Sequence, residues 1–128
     1  MEGTSLDNWE GPFVAIVTPF DEQGRIILED FKTLIHSFVE DGARGIVVAG
    51  HNGESWNLKL QEMVQLISIA KKEVENRVPV LCGVEERNAD AVIELANVLA
   101  EAGVEGIMVE PPYVVTTSTD AEIIDRFE

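Results

Sequence analysis

The stretch GIVVAGHNGES, residues 45–55, joins two kinds of sequence. Its first half is apolar on consecutive positions, Ile46, Val47, Val48 and Ala49, and stops at Gly50. Consecutive rather than alternating apolar residues mark a strand covered on both faces, as in a parallel sheet. The second half is polar and bracketed by glycines. His51 and Asn52 lie between Gly50 and Gly53, and Glu54 and Ser55 follow before a helical pattern begins. A buried strand running through such a turn toward a helix is the repeating unit of an α/β protein.

Three more runs read the same way: FVAIV (Phe13 to Val17), VPVLCGV (Val78 to Val84) and GIMVE (Gly106 to Glu110). The four runs start at residues 13, 45, 78 and 106, a spacing of about one βα unit. Amphipathic helices are predicted between them. Ile27, Phe31, Leu34, Ile35, Phe38 and Val39 form one apolar stripe, closed by Asp41-Gly42. Leu60, Met63, Val64, Ile67 and Val74 form a second, with Lys71 and Lys72 near its C-terminus, where the helix dipole favours cations. Val92, Leu95, Ala96 and Leu99 form a third, with Asn88 or Asp90 as N-cap and Gly103 as stop. A fourth helix is expected after TTSTD, carrying Ile123, Ile124 and Phe127.

The chain also repeats itself. EDGARGIVV (Glu40 to Val48) and EAGVEGIMV (Glu101 to Val109) share Glu-x-Gly-x-x-Gly-Ile-x-Val. Each is a helix end, a tight turn and a strand, and glycines serve any turn of this kind. The order βαβαβαβα implies a parallel sheet, and two architectures accommodate it. One is a small doubly wound, flavodoxin-like sheet. The other is a TIM-type (β/α)8 barrel, of which this chain would cover about the first four βα units. The length of 128 residues favours the first. The apolar pattern still running at Phe127 favours the second. One domain over residues 1–128 is expected, with residues 1–10 as an N-terminal arm.

Composition narrows the function. The net charge of −15 opposes nucleic acid and anionic membrane surfaces as partners, although backbone N–H groups can still seat a small anion. No apolar run reaches the length of a membrane span, and the acidic start MEGTSLDNWEG is unlike a signal peptide. The single cysteine, Cys82, reads as a small core residue. The expected compartment is the cytoplasm. In either architecture the chemistry belongs to the loops after the strands: TPFDEQGR, HNGESWN, EERNAD and PPYVVTTSTD. No metal-ligand spacing is visible in them, and no metal or cofactor is expected. GHNGES has neither the lysine of a P-loop, nor the third glycine of a dinucleotide loop, nor the Gly-x-Ser-x-Gly of a nucleophile elbow. It does offer close backbone approach and N–H groups at a helix start, a seat for a carboxylate or similar oxyanion. His36, the other histidine, falls mid-helix beside the apolar stripe and reads as a partly buried structural residue.

FVAIVTPFDEQGRI, GIVVAGHNGES with Leu58 beyond it, VPVLCGV and GIMVEPPY occur in that order and at these spacings. Together they resemble the N-terminal half of the dihydrodipicolinate synthase / N-acetylneuraminate lyase family, from Gly11 onward. The resemblance implies a (β/α)8 barrel and class I aldolase chemistry, in which a lysine forms a Schiff base with pyruvate or another 2-keto acid. It also implies that the chain is part of a homo-oligomer, a dimer or tetramer. Gly50, Asn52, Gly53 and Glu54 then match the loop that binds the keto-acid carboxylate, and Ala15 a small residue lining the pyruvate pocket. Tyr113 matches the first tyrosine of the family's PPYY segment and becomes a catalytic candidate with His51, which can bind the carboxylate or move a proton near neutral pH.

The departures define a branch. His51 and Asn52 stand where the synthases carry two threonines, and Val114 where they carry a second tyrosine of the proton relay. A sugar-acid aldolase or dehydratase is therefore expected rather than a true synthase. Glu85 and Glu86 occupy a segment that is small and neutral in the family, where they would repel an anionic ligand or pair with Arg87. The Schiff-base lysine is expected in the second half of the barrel, outside this chain. Lys32, Lys59, Lys71 and Lys72 all map to helices or a helix start.

Overall fold

The computed structural model describes residues 9–86, 88–110 and 119–127, the side chains of Ile123 and Arg126 excepted. Its elements are β1 (Phe13–Ala15), α1 (Leu28–Glu40), β2 (Gly45–Val48), a 3-10 turn (Ser55–Asn57), α2 (Leu60–Val74), β3 (Val80–Val84), α3 (Ala89–Ala102), β4 (Gly106–Val109) and α4 (Asp120–Phe127). The strands form one sheet in the order β1-β2-β3-β4, every neighbouring pair parallel. This order decides between the two architectures. A doubly wound, flavodoxin-like sheet reverses direction and places its first strand inside the sheet, whereas a barrel adds each strand beside the last. The strictly sequential order is that of a barrel's first four βα units, and the doubly wound alternative is set aside.

One face of the sheet carries the core. Ile16, Ile46, Val48, Val80, Cys82 and Val84 pack with Phe31 and Ile35 of α1, Met63, Leu66, Ile67, Ala70 and Val74 of α2, and Leu99 of α3. The α2 residues sit at i, i+3, i+4, i+7 and i+11, so one side of the helix is continuous with the sheet. Leu60 and Val64, read into the α2 stripe from sequence, lie outside its fully buried row. Leu60 is exposed because it precedes the first full turn over the sheet. Successive strand residues point to opposite faces, so Ala15, Val17, Val47, Leu81 and Met108 form the other face. That face is buried at its centre, with Val47 at 1% and Leu81 at 6% exposure, and open along the outer strands, with Val17 at 50% and Met108 at 41%.

The internal repeat has a concrete structural meaning. At the end of α1, Gly42 N–H donates to Val39 O and Ala43 N–H to Phe38 O; at the end of α3, Gly103 N–H donates to Ala100 O and Val104 N–H to Leu99 O. Both are Schellman turns, and both place glycine at a φ of +100°, where a side chain is strained. The second glycine of each repeat opens a strand and makes room for an aromatic ring. A Cβ on Gly45 would stand 2.9 Å from the Phe13 ring, and one on Gly106 would stand 2.9 Å from Trp9. Trp9 and Phe13 themselves pack with centroids 5.9 Å apart. Asn88 rather than Asp90 caps α3, accepting a bond from Ala91 N–H at 2.9 Å. Thr119 and Glu122 cap α4 reciprocally.

Two sequence expectations change in detail. His36 is not partly buried: it is exposed on α1 and pairs with Glu73 of α2. Lys71 does more than favour the helix dipole. Its ammonium pairs with Glu105, whose other carboxylate oxygen accepts Val80 N–H at 2.7 Å, tying α2 and the start of β3 to the α3–β4 turn. The acidic turn after β1 is a small hairpin in which Phe20 bridges Ile26. Hydrogen bonds from Arg25, first through its backbone N–H, hold the Asp21 carboxyl below its usual range.

The ends of β2 and β3 meet through glycine. A Cβ on Gly83 would lie 2.5 Å from Gly50 Cα and 2.6 Å from Ala49 O, whereas a Cβ on Gly50 meets only Val47, at 3.7 Å. Gly83→Ala is expected to destabilise the chain by about 1–3 kcal/mol or more, while Gly50→Ala, with space for its methyl, leaves the denaturation midpoint nearly unchanged. Equal midpoints for the two variants in urea unfolding would contradict this packing. Glu105→Ala strips the Val80 N–H of its acceptor and is expected to cost about 1–3 kcal/mol by the same measurement; Glu105→Gln, which keeps an acceptor, costs less.

Candidate functional site

The site is built on the C-terminal ends of β2, β3 and β4. After Val48 the chain turns sharply. Ala49, fully buried, takes a φ of +53°, an uncommon conformation for a residue with a side chain and one found where surroundings enforce it. Gly53 then passes so close to β1 that a Cβ would sit 3.1 Å from Ile16 O and from Ala49 backbone. Thr18, the one buried polar residue described, donates its hydroxyl to Gly53 O at 2.7 Å. Leu58 anchors the far end of the loop on the core.

Three of the loop's backbone donors are committed within it. Gly53 N–H donates to Gly50 O at 3.1 Å, Ser55 N–H to Gly50 O at 3.4 Å, and Glu54 N–H to His51 O at 3.0 Å. The oxyanion seat expected at a helix N-terminus is therefore not formed by α2. A 3-10 turn intervenes, and the start of α2 is closed by Glu62, whose carboxylate accepts Lys59 N–H at 2.9 Å. Glu54 takes a left-handed conformation at φ 56°, ψ 50° and accepts a bond from Asn57 Nδ2 at 3.2 Å. Asn52 and His51 are exposed at the loop tip. Ala15 lies on the open face of the sheet, paired in register with Val47. Tyr113 lies outside the described residues, as does Val114.

The loop meets the next strand through side chains. Ser55 Oγ donates to Glu85 Oε2 at 2.9 Å, and His51 Nδ1 stands 3.4 Å from Glu85 Oε1. The His51 ring rests against Trp56, centroids 5.0 Å apart at 55°. Glu85 was expected to repel a ligand or to pair with Arg87. It meets His51 and Ser55; Arg87, its other expected partner, lies outside the described residues. Glu110, at the end of β4, completes a group in which one ligand atom each of His51, Glu85 and Glu110 lies within 4.8 Å of the others. Sequence spacing hid this set, because its members are 34 and 25 residues apart and come together only when parallel strands are laid side by side. The signal that was available is that each follows an apolar run directly. A cavity of about 370 Å³ beside the group is lined by Ser55, Trp56, Leu60, Met63, Glu85 and Glu86 among others. Cys82 contributes no nucleophile: burial pushes its thiol up to about 12.

The sequence profile of the dihydrodipicolinate synthetase family matches residues 8–128. The 4-hydroxy-tetrahydrodipicolinate synthase of Bacillus subtilis is 37% identical over 106 residues, which are 83% of this chain and 37% of that enzyme. A dihydrodipicolinate synthase of Bacillus anthracis superposes with a TM-score of 0.81 at 34% identity, over 90% of this chain and 39% of that one. A prophage protein of Escherichia coli K12, of the dihydrodipicolinic acid synthase family and solved in complex with pyruvate, superposes with a TM-score of 0.76 at 30% identity, covering 90% of this chain and 38% of its own. The chain thus spans somewhat over a third of the length of these relatives. The profile match, the sequential parallel sheet and the glycine-bracketed loop at its C-terminal edge agree, and the chain belongs to the dihydrodipicolinate synthetase family.

Proposed function

We propose that this chain forms the first half of a Schiff-base lyase barrel and supplies the seat for the carboxylate of pyruvate or another 2-keto acid. The observation that carries the reading is the loop at residues 50–54. It is fixed by Thr18 and by the close approach of Gly53 to β1, and it stands at the C-terminal end of the sheet next to the open face bearing Ala15. Gly50, Asn52, Gly53 and Glu54 form the seat and Ala15 borders the space for the substrate methyl group. His51 and Tyr113 serve proton transfer, His51 being oriented by Trp56. The amine that forms the imine comes from another part of the barrel, because Lys32 and Lys71 are engaged with Glu29 and Glu105, and Lys59 and Lys72 stand at the start and on the body of α2. An aldolase or dehydratase of a sugar-acid-derived substrate fits the His51-Asn52 replacement better than the synthase reaction does. Among the described residues no helix is long and apolar enough to cross a membrane; a cytoplasmic dimer or tetramer is part of the same proposal.

A second reading is favoured by the open face. Val17 and Met108 leave the sheet exposed along both outer strands, and two copies of this chain could cover each other there without catalysis.

Titrating the chain with pyruvate while following backbone amide NMR signals is expected to shift Ala15 and residues 50–54 and to leave His36 and Glu73 unmoved. Shifts confined to other regions would remove the carboxylate seat. Borohydride reduction with pyruvate is expected to leave Lys32, Lys59, Lys71 and Lys72 unmodified, and an adduct on any of them would overturn the assignment of the amine. Sedimentation separates the second reading: a stable monomer at micromolar concentration sinks the self-paired half barrel.

A further inference from the structure

We propose that His51, Glu85 and Glu110 form a binding site for a divalent first-row transition-metal cation, with zinc the best match to its donors. The site shares His51 with the Schiff-base reading, but it stands on geometry alone and does not need that reading. Its three side chains follow β2, β3 and β4, three neighbouring parallel strands, so the sheet itself sets their separation. One imidazole and two carboxylates are the donor types that such cations take.

The distance between His51 Nδ1 and Glu85 Oε1 is informative. At 3.4 Å it is long for an N–H···O hydrogen bond. It is close to the roughly 3.3 Å that separates two donors each about 2.0–2.1 Å from a tetrahedral zinc. Glu85 supplies the second observation. Its two oxygens are treated differently: Oε2 accepts from Ser55 Oγ at 2.9 Å, while Oε1 is buried and has no hydrogen-bond donor. A desolvated carboxylate oxygen is costly unless a cation or a proton meets it. The oxygen left open is the one that faces His51. Ser55 holds the carboxylate as an outer partner holds a metal ligand, and the Trp56 ring limits how His51 can turn.

The test is calorimetric titration of the chelator-stripped chain with zinc chloride in a buffer free of keto acids, so that its result does not depend on substrate binding. One equivalent is expected to bind. His51→Gln, Glu85→Gln and Glu110→Gln should each weaken binding about tenfold or more, and Ser55→Ala about tenfold, through loss of orientation alone. His36→Gln, which removes the other histidine–glutamate pair, should change nothing. Cobalt(II) should give the visible absorption of a low-coordinate site, lost in the same variants. Absence of stoichiometric binding overturns the site, and so does binding that survives all three substitutions or falls equally with His36→Gln. Circular dichroism checks each fold; if the Glu85 variant unfolds, Glu110→Gln decides the matter.

Discussion

Gly83 of β3 lies so close to the backbone of Ala49 and Gly50 after β2 that position 83 has no space for a side chain, and the functional end of the sheet depends on that contact. Because the two backbones touch, the loop after β2 cannot continue along the strand direction. It turns at Ala49 with a positive φ, doubles under Gly53 against β1, and emerges with His51 and Ser55 beside Glu85. Thr18 closes the arrangement from the β1 side. Three strands thus share one loop as a common boundary. A larger residue at Gly83 would separate the strand ends and with them the groups that form the site.

The fold was legible because it rests on local chemistry. Unbroken apolar runs specified parallel strands, stripes at helical spacing specified the covering helices, and Gly42 and Gly103 specified turns that the structure forms with the same two hydrogen bonds. The choice between barrel and doubly wound sheet was less accessible, because both obey the same βα grammar. Only strand order separates them, and that is a property of non-local pairing. The resemblance to known barrels resolved it from sequence, and the pairing of β1 with β2 through β4 agrees.

The site was legible in its place and less so in its contents. The loop at residues 50–54 was found from its glycines and its position after a strand. Its partners were not, because His51, Glu85 and Glu110 are brought together by the sheet and not by spacing along the chain. The helix-terminus seat expected for this loop gives way to a 3-10 turn. The chain between Gly53 and α2 coils through Ser55–Asn57 before Leu58 returns to the core. His36 shows the converse. Its place next to an apolar stripe suggested burial, but Glu73 on the neighbouring helix gives it a polar partner at the surface.

The chain has two tryptophans, and they report on opposite ends of the sheet. Trp9 lies over Gly106 with its ring edge against Phe13, so it is shielded only while the first segment and the fourth strand are joined across nearly the whole length of the chain. Trp56 is 59% exposed and packs at a tilt against His51 at the opposite end. One indole is therefore an optical gauge of sheet closure and the other of the imidazole beside it. Replacing either with phenylalanine isolates the emission of the remaining one, so assembly of the sheet and occupancy of its rim can be followed separately in the same molecule.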